Sequence, residues 1–168
     1  MALLSVGILS AKNIYDFTMD SIDGRPVPLA EYKGKVALVV NVASRCGFTP
    51  QYTALEAAYR QYKDRGLVVL GFPANNFMNQ EPGTDAEIQE FCKRKYDVTF
   101  PVFSKISVLG DDKAPLYKYL TSVVGGEIEW NFTKFVIGRD GSIVARFPSK
   151  VRPDSPEVTA AIEKALAQ

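Results

Sequence analysis

Two thiols, Cys46 and Cys92, are the side chains in this sequence best suited to covalent chemistry, and the chain contains no histidine. Cys46 follows the apolar run 35–42, which predicts a buried strand, and precedes a stretch with helical spacing. The unpaired N–H groups and positive dipole end of a helix favour an anion, so a thiol at this junction is favoured as the reactive thiolate. Because histidine is absent, activation of Cys46 must come from backbone dipoles, arginine, lysine or neutral donors.

A second interpretation of Cys46 is a small buried hydrophobic side chain, since free cysteine is among the most buried residue types. Its neighbours favour a turn at a strand end because they are polar or small: Ser44, Arg45, Gly47 and Thr49. We therefore expect a reactive thiol. A Cys-x-x-Cys exchange is excluded because Thr49 occupies the second cysteine position.

Size and composition predict one domain, which we place at residues 13–168 of the 168-residue chain. Residues 1–12 are expected to be a leader or a disordered N-terminus. A remnant of an export signal is the alternative, although no positive charge precedes the apolar stretch. The net charge of +1 gives no long-range attraction to nucleic acid or an anionic membrane. Two cysteines do not make a secreted disulfide framework, so we expect a cytoplasmic protein.

Strand-like and helix-like segments alternate in the order ββ-β-α-β-α-α-β-β-α. This order predicts an α/β protein with a thioredoxin-like fold, in which helices flank a central mixed sheet and a β-hairpin extends the N-terminus. The predicted segments are the hairpin strands 15–19 and 27–29, a strand over 36–42, a helix from Pro50 closed by Gly66, a strand over 67–72, a helix from the Thr84 cap to Tyr96, a short helix over 115–120, hairpin strands 132–137 and 142–147, and a helix from the Ser155 cap to about Ala167. Sites in such sheets gather at the carboxyl ends of strands, where Cys46 lies.

Three blocks of the sequence, residues 41–49, 72–83 and 130–135, resemble in order and spacing the signature blocks of the glutathione peroxidase family. The resemblance extends from about Tyr15 to Leu166. It implies that Cys46 is the peroxidatic residue, which a hydroperoxide oxidises, and that its hydrogen-bonding partners are Gln80, Trp130 and Asn131. These partners carry N–H groups, which stabilise a thiolate and the charge on a departing alkoxide.

Two of these residues have ordinary structural interpretations outside the resemblance. Trp130 alone favours a core position, because tryptophans are buried on average, and Gln80 alone favours a turn. Within their blocks, the resemblance implies that both are catalytic.

Cys92 also has two interpretations. Ile88, Phe91 and Cys92 have the spacing of the buried face of a helix, which predicts an inert packed thiol. The segment 91–96 instead resembles the region that holds the resolving cysteine in the thioredoxin-dependent branch of the family, which implies a disulfide between Cys92 and oxidised Cys46. The basic run Lys93, Arg94 and Lys95 predicts a solvated face and, secondarily, a docking patch for an acidic reductant protein.

The function implied by the resemblance is that of a thiol-dependent peroxidase. It reduces hydrogen peroxide and organic or lipid hydroperoxides, needs no cofactor or metal, and is regenerated by a thioredoxin-like protein or glutathione. A short segment before Trp130 implies a monomer, since tetrameric relatives carry a longer loop there. Two other classes stay open: a redox relay that passes oxidation to a partner protein, and a structural domain without chemistry, against which the set Cys46, Gln80, Trp130 and Asn131 argues.

Overall fold

A computed structural model describes residues 13–168. The prediction for residues 1–12 lies outside the described residues. The observed element order agrees with the predicted one, with two additions: short 3-10 helices flank the N-terminal hairpin and another follows the first α-helix.

A four-stranded mixed sheet forms the centre of the domain, in the order β4-β3-β5-β6. The strands are β3 (Val36–Val42), β4 (Leu67–Pro73), β5 (Lys134–Ile137) and β6 (Ile143–Phe147). β3 runs parallel to β4 and antiparallel to β5, and β5 pairs antiparallel with β6. All seven residues of β3 are buried, as expected for a strand covered on both faces. The predicted mixed sheet is confirmed.

Helices cover both faces of this sheet. They are α1 (Gln51–Tyr62), α2 (Asp85–Tyr96), α3 (Pro115–Val124) and α4 (Pro156–Leu166). Val36, Leu38, Val40 and Val42 pack in one core cluster with residues of α1, α2 and α4. Ala37 and Val39 face the opposite side, in a cluster with residues of α3. Among the described residues, no helix is both long and apolar enough to cross a bilayer.

The N-terminal hairpin is present as a separate two-stranded sheet, with β1 at Thr18–Asp20 and β2 at Pro26–Pro28. The predicted strand bounds 15–19 and 27–29 were wrong. Ile14–Asp16 form a 3-10 helix because Asn13 and Asp16 make a capping box, and Leu29 begins a second 3-10 helix.

Three other predicted bounds shift for local reasons. β5 begins at Lys134 instead of 132, because Phe132 has a φ of 63°, a left-handed conformation that a strand does not accommodate. α3 continues to Val124, beyond Leu120. α1 begins at Gln51, so a turn of several residues separates Cys46 from the helix.

α2 carries the predicted capping box. The Thr84 side chain accepts from Glu87 N–H, and the Glu87 side chain accepts from Thr84 N–H. The predicted Ser155 cap of α4 is also confirmed, because its side chain accepts from Val158 N–H. α2 buries only two of its residues, Ile88 and Cys92.

Candidate active site

Cys46 lies in the turn that joins the carboxyl end of β3 to the start of α1. Thr49 closes this turn: its hydroxyl accepts from Cys46 N–H at 2.9 Å and donates to Ala43 O at 2.8 Å, while its N–H donates to Cys46 O at 3.0 Å. Cys46 is 8% exposed. Thr49, which occupies the place of the second cysteine in a Cys-x-x-Cys motif, therefore also holds the backbone of Cys46 in position.

The sulfur of Cys46 accepts a hydrogen bond from the backbone N–H of Phe48, with an N···S distance of 3.3 Å. A donor aimed at sulfur stabilises the thiolate over the neutral thiol. Sequence reasoning expected backbone dipoles at a helix N-terminus and side-chain donors to activate Cys46, but it did not identify the N–H of Phe48 within the turn. The identity of residue 48 does not indicate this hydrogen bond, because the direction of a backbone N–H depends on the conformation of the turn.

Gln80 and Asn131 are brought together beside this turn. Asn131 Nδ2 donates to Gln80 Oε1 at 2.9 Å, and Asn131 is fully buried. The backbone oxygen of Gln80 accepts from Arg45 N–H at 3.0 Å, next to Cys46 in the chain. Hydrogen bonds thus connect the three sequence blocks, although Gln80 Oε1 and Asn131 Nδ2 are engaged with each other and not with sulfur.

Trp130 is partly buried, and its ring packs against Phe77 with a centroid distance of 5.4 Å. Its backbone oxygen accepts from Asn41 Nδ2 at 3.1 Å and from Thr133 Oγ1 at 3.0 Å. Trp130 Nε1 and Gln80 Nε2 donate to no partner within residues 13–168. These two N–H groups are therefore available to an incoming oxygen atom.

Asn41 is a buried polar residue next to the site that sequence reasoning did not single out. It is fully buried in β3, and its side chain donates to Trp130 O and accepts from Thr133 N–H at 3.1 Å. Its backbone oxygen accepts from Phe132 N–H at 2.7 Å. The available signal was an amide within an otherwise apolar strand.

A cavity of about 700 Å³ opens next to the Cys46 turn. Its walls include Phe48, Val124, Trp130, Thr133, Arg146 and Ser149. The volume lies within the range of small-molecule sites. Phe48, whose N–H contacts the sulfur, lines this cavity, so the cavity lies next to the Cys46 turn, whereas Cys46 itself is not one of its lining residues.

Lys134 is a fully buried amine that contacts the backbone of Ser149, one of the residues that line the cavity. Its Nζ donates to Ser149 O at 3.0 Å, and Gln51 Nε2 donates to the same oxygen at 2.7 Å. Burial lowers the pKa of Lys134 to about 7. The two donors fix the backbone at Ser149 against the start of α1.

Cys92 occupies a different environment from Cys46. It is 3% exposed, and its sulfur donates to Tyr52 Oη across 3.4 Å. Burial raises the pKa of the Cys92 thiol to about 11, so the thiol keeps its proton at neutral pH. Both cysteines are free, and each sulfur has its own hydrogen-bonding partner. The structure thus shows Cys92 as the packed thiol that helical spacing predicted.

The basic run that follows Cys92 is solvent-exposed on α2. Arg94 pairs with Glu90 at 2.9 Å, and Lys95 Nζ lies 6.0 Å from the centre of the Phe91 ring. The predicted solvated face is confirmed, and its docking role stays a prediction.

Glu81 is a buried carboxyl between the two cysteine segments, only 1% exposed. Its Oε1 accepts from Ser44 N–H at 3.2 Å, while Oε2 has no partner in the described structure. Burial raises the pKa of Glu81 to about 7, against the lowering effects of Ser44, Lys105 and Arg45. No sequence signal distinguished this residue from a surface glutamate.

Comparison with known proteins identifies a family. The family model described as "Glutathione peroxidase" matches residues 14–121. A hydroperoxy fatty acid reductase of Synechocystis is 49% identical over 163 residues, covering 91% of this chain and 95% of its own. A glutathione peroxidase-like peroxiredoxin of Schizosaccharomyces pombe is 52% identical over 149 residues, covering 86% and 94% respectively.

Solved structures agree with the fold. A crystal structure titled as the apo form of Trgpx matches with a TM-score of 0.76 and 41% identity, over 94% of this chain and 98% of that one. A thiol:disulfide interchange protein of the thioredoxin family from Chlorobium tepidum matches with a TM-score of 0.68 at 20% identity, over 94% of this chain and 99% of that one. The second match supports the fold alone, and together they confirm the predicted thioredoxin-like architecture.

The burial of Glu81 predicts a specific pH dependence of stability. The unfolded carboxyl loses its proton near its ordinary pKa of 4.5 and the folded one near 7, so the folded state binds more protons between these values and loses stability as pH rises. Glu81→Gln mimics the protonated acid. The difference in free energy of unfolding between Glu81→Gln and wild type should therefore shift in favour of the variant by on the order of 3 kcal/mol as pH rises through this window.

Urea denaturation at a series of pH values measures the difference. The exposed Glu31→Gln controls for the loss of one negative charge. A constant difference between Glu81→Gln and wild type across this window would contradict the assignment.

Proposed function

This chain belongs to the glutathione peroxidase family and is a thiol-dependent peroxidase, and from that premise we propose that Cys46 is the residue that hydroperoxides oxidise. The observation that carries the proposal is the hydrogen bond from Phe48 N–H to Cys46 Sγ, beside a cavity that Phe48 and Trp130 line. The bond favours the nucleophilic thiolate, and the neighbouring cavity offers room for a hydroperoxide beside the Cys46 turn.

The first step is attack of the Cys46 thiolate on the terminal oxygen of the hydroperoxide. The O–O bond breaks, sulfur gains the oxygen as a sulfenic acid, and an alkoxide leaves and takes a proton to become an alcohol. We propose that Gln80 Nε2 and Trp130 Nε1, which donate to no partner within residues 13–168, stabilise that developing negative charge. Asn131 acts by holding Gln80 through the bond from its Nδ2 to Gln80 Oε1.

The second step is attack of Cys92 on the sulfenic sulfur of Cys46. The S–O bond breaks, an S–S bond forms, and the oxygen leaves as water. Two thiols of a thioredoxin-like protein, or two glutathione molecules, then reduce the disulfide and become a disulfide themselves. Exposure of Lys93, Arg94 and Lys95 on the Cys92 helix supports docking of an acidic reductant there.

The substrates we propose are hydrogen peroxide and organic or lipid hydroperoxides. Apolar side chains of Phe48, Val124 and Trp130 in the cavity wall support an alkyl substituent on the peroxide. One relative is named a hydroperoxy fatty acid reductase, which agrees with this class.

We propose further that the protein is a cytoplasmic monomer. Residues 125–129 are the whole connection between α3 and Trp130, which is too short to build the extra loop of tetrameric relatives. Two cysteines do not make a secreted disulfide framework, and this count supports a reducing compartment.

Replacement of the two cysteines should separate the two steps. Cys46→Ser should abolish peroxide consumption, because serine is a far weaker nucleophile. Cys92→Ser should consume about one equivalent of peroxide in a single turnover and then lose turnover with thioredoxin, because no intramolecular disulfide forms.

Stopped-flow peroxide consumption with thioredoxin and thioredoxin reductase, set beside glutathione and glutathione reductase, gives both rates. Full thioredoxin-driven turnover by Cys92→Ser would return Cys92 to a packing role. Substantial activity of Cys46→Ser would overturn the assignment of the peroxidatic residue.

Trp130→Phe tests the indole N–H as a donor. Phenylalanine retains an aromatic ring to pack on Phe77 but removes the N–H, so the second-order rate constant for oxidation of Cys46 should fall about a hundredfold with little change in folding. Denaturant unfolding serves as the control measurement. Lowered stability with an unchanged rate in the folded fraction would make Trp130 a core residue only.

A further inference from the structure

α2 is the least buried of the segments that carry the site, although it holds Cys92. α2 and α1 each contain twelve residues. α2 buries only Ile88 and Cys92, whereas α1 buries seven of its residues. Segments with few buried contacts open locally at the lowest free energy. When Cys46 and Cys92 form a disulfide, α2 is therefore the element expected to move.

The backbone immediately after Cys92 is closed by a tight turn. Asp97 has a φ of 50° and ends the helix, and its N–H donates to Cys92 O and Lys93 O. Val98 N–H donates to Cys92 O at 3.2 Å. The carbonyl group of Cys92 is thus held by residues 97 and 98, and α2 cannot unwind past Cys92 while this turn is in place.

Two residues of α1 hold that turn. Glu56 is 5% exposed, and its Oε1 accepts from Thr99 N–H at 2.6 Å and from Thr99 Oγ1 at 2.8 Å. Its Oε2 accepts from Arg60 Nε at 3.1 Å. Arg60 Nη2 donates to the backbone oxygen of Asp97 at 3.1 Å and to its carboxylate at 3.0 Å. We name these four residues, Glu56, Arg60, Asp97 and Thr99, the Glu56 clamp.

We propose that the Glu56 clamp sets how readily α2 opens, and so sets the rate at which Cys92 reaches oxidised Cys46. The inference rests on the proposed two-cysteine function and adds positioning residues to it. None of the four clamp residues is placed in the peroxide step. Their effect belongs to the step in which the S–O bond of the sulfenic acid is exchanged for the S–S bond and water leaves.

The environment of Cys92 explains why opening limits this step. In the closed helix the thiol donates to Tyr52 Oη, and burial keeps its proton in place by raising its pKa to about 11. Attack on a sulfenic sulfur requires the thiolate. Opening of α2 releases the thiol from Tyr52 and restores water around it, so one motion supplies both reach and ionisation.

The opposite end of α2 is held in a different way. Lys105 Nζ donates to the backbone oxygens of Glu81 and Gly83, and Lys105 N–H donates to Asp85 Oδ1 at 2.9 Å. These bonds anchor the segment that also carries Gln80. Loss of the Glu56 clamp therefore frees the Cys92 end of the helix while the Gln80 end stays fixed.

The test is the rate of disulfide formation in Glu56→Gln. The variant keeps the shape of the side chain but loses the charge that receives several hydrogen bonds. After one equivalent of peroxide, conversion of the Cys46 sulfenic acid to the disulfide should be about tenfold faster than in wild type, since a bond to a charged group contributes enough to shift the opening equilibrium by that factor. Rapid quenching with a thiol-blocking reagent, followed by mass spectrometry, follows this conversion.

Two further measurements make the test specific. Oxidation of Cys46 by peroxide should be unchanged, and amide hydrogen exchange should be faster in α2 but not in α3. The matched control is Glu163→Gln. This change on α4 removes the carboxylate that pairs with Arg65, far from α2 in the chain, and should leave disulfide formation at the wild-type rate.

An unchanged or slower disulfide step in Glu56→Gln would overturn the inference. If that variant does not fold, Thr99→Val and Arg60→Ala provide the test, because each removes part of the clamp at an exposed position. Each must also accelerate conversion of the Cys46 sulfenic acid to the disulfide, by a smaller factor than Glu56→Gln. Failure of the two-cysteine mechanism itself is distinguishable, because wild type would then form no Cys46–Cys92 disulfide at any rate.

Discussion

The site depends on the hydrogen bonds made by the buried side-chain amide of Asn41. It lies in β3, the strand that leads to Cys46, and binds Trp130 O and Thr133 N–H across the sheet. The chain at Phe132 takes a left-handed conformation, so β5 cannot supply ordinary strand pairing there. The Asn41 side chain supplies the missing partners and thereby fixes Trp130 and Asn131 relative to the turn that carries Cys46.

The two thiols are placed in opposite environments by the same core. Cys46 receives an N–H from Phe48 at the edge of a cavity, whereas Cys92 is buried and donates to a phenol. The first arrangement favours nucleophilic attack, and the second keeps a thiol protonated and protected until its helix opens. A peroxidase with an internal resolving thiol requires this asymmetry, because two equally reactive thiols would compete for the peroxide.

The order of the elements was predictable because strong local signals set it: the continuous apolar run of β3, the Thr84 capping box and the Ser155 cap. The hairpin bounds were wrong because Asn13 and Asp16 close a 3-10 helix, and β5 starts later because of the Phe132 backbone. The blocks predicted Cys46, Gln80, Trp130 and Asn131 as site residues, and the structure brings Gln80 and Asn131 together beside the turn that carries Cys46. The Phe48 N–H donor was not predictable because it depends on the backbone conformation of a local turn. The burial of Glu81 and the Glu56 clamp were not predictable because each depends on where distant segments meet.

The most direct test of the account is the mass of the wild-type protein after one equivalent of hydroperoxide, in the absence of any reductant. We expect a chain lighter by two hydrogens, with Cys46 and Cys92 recovered in one disulfide-linked peptide after proteolysis. A chain that instead keeps one added oxygen on Cys46, with Cys92 still a free thiol, would contradict it.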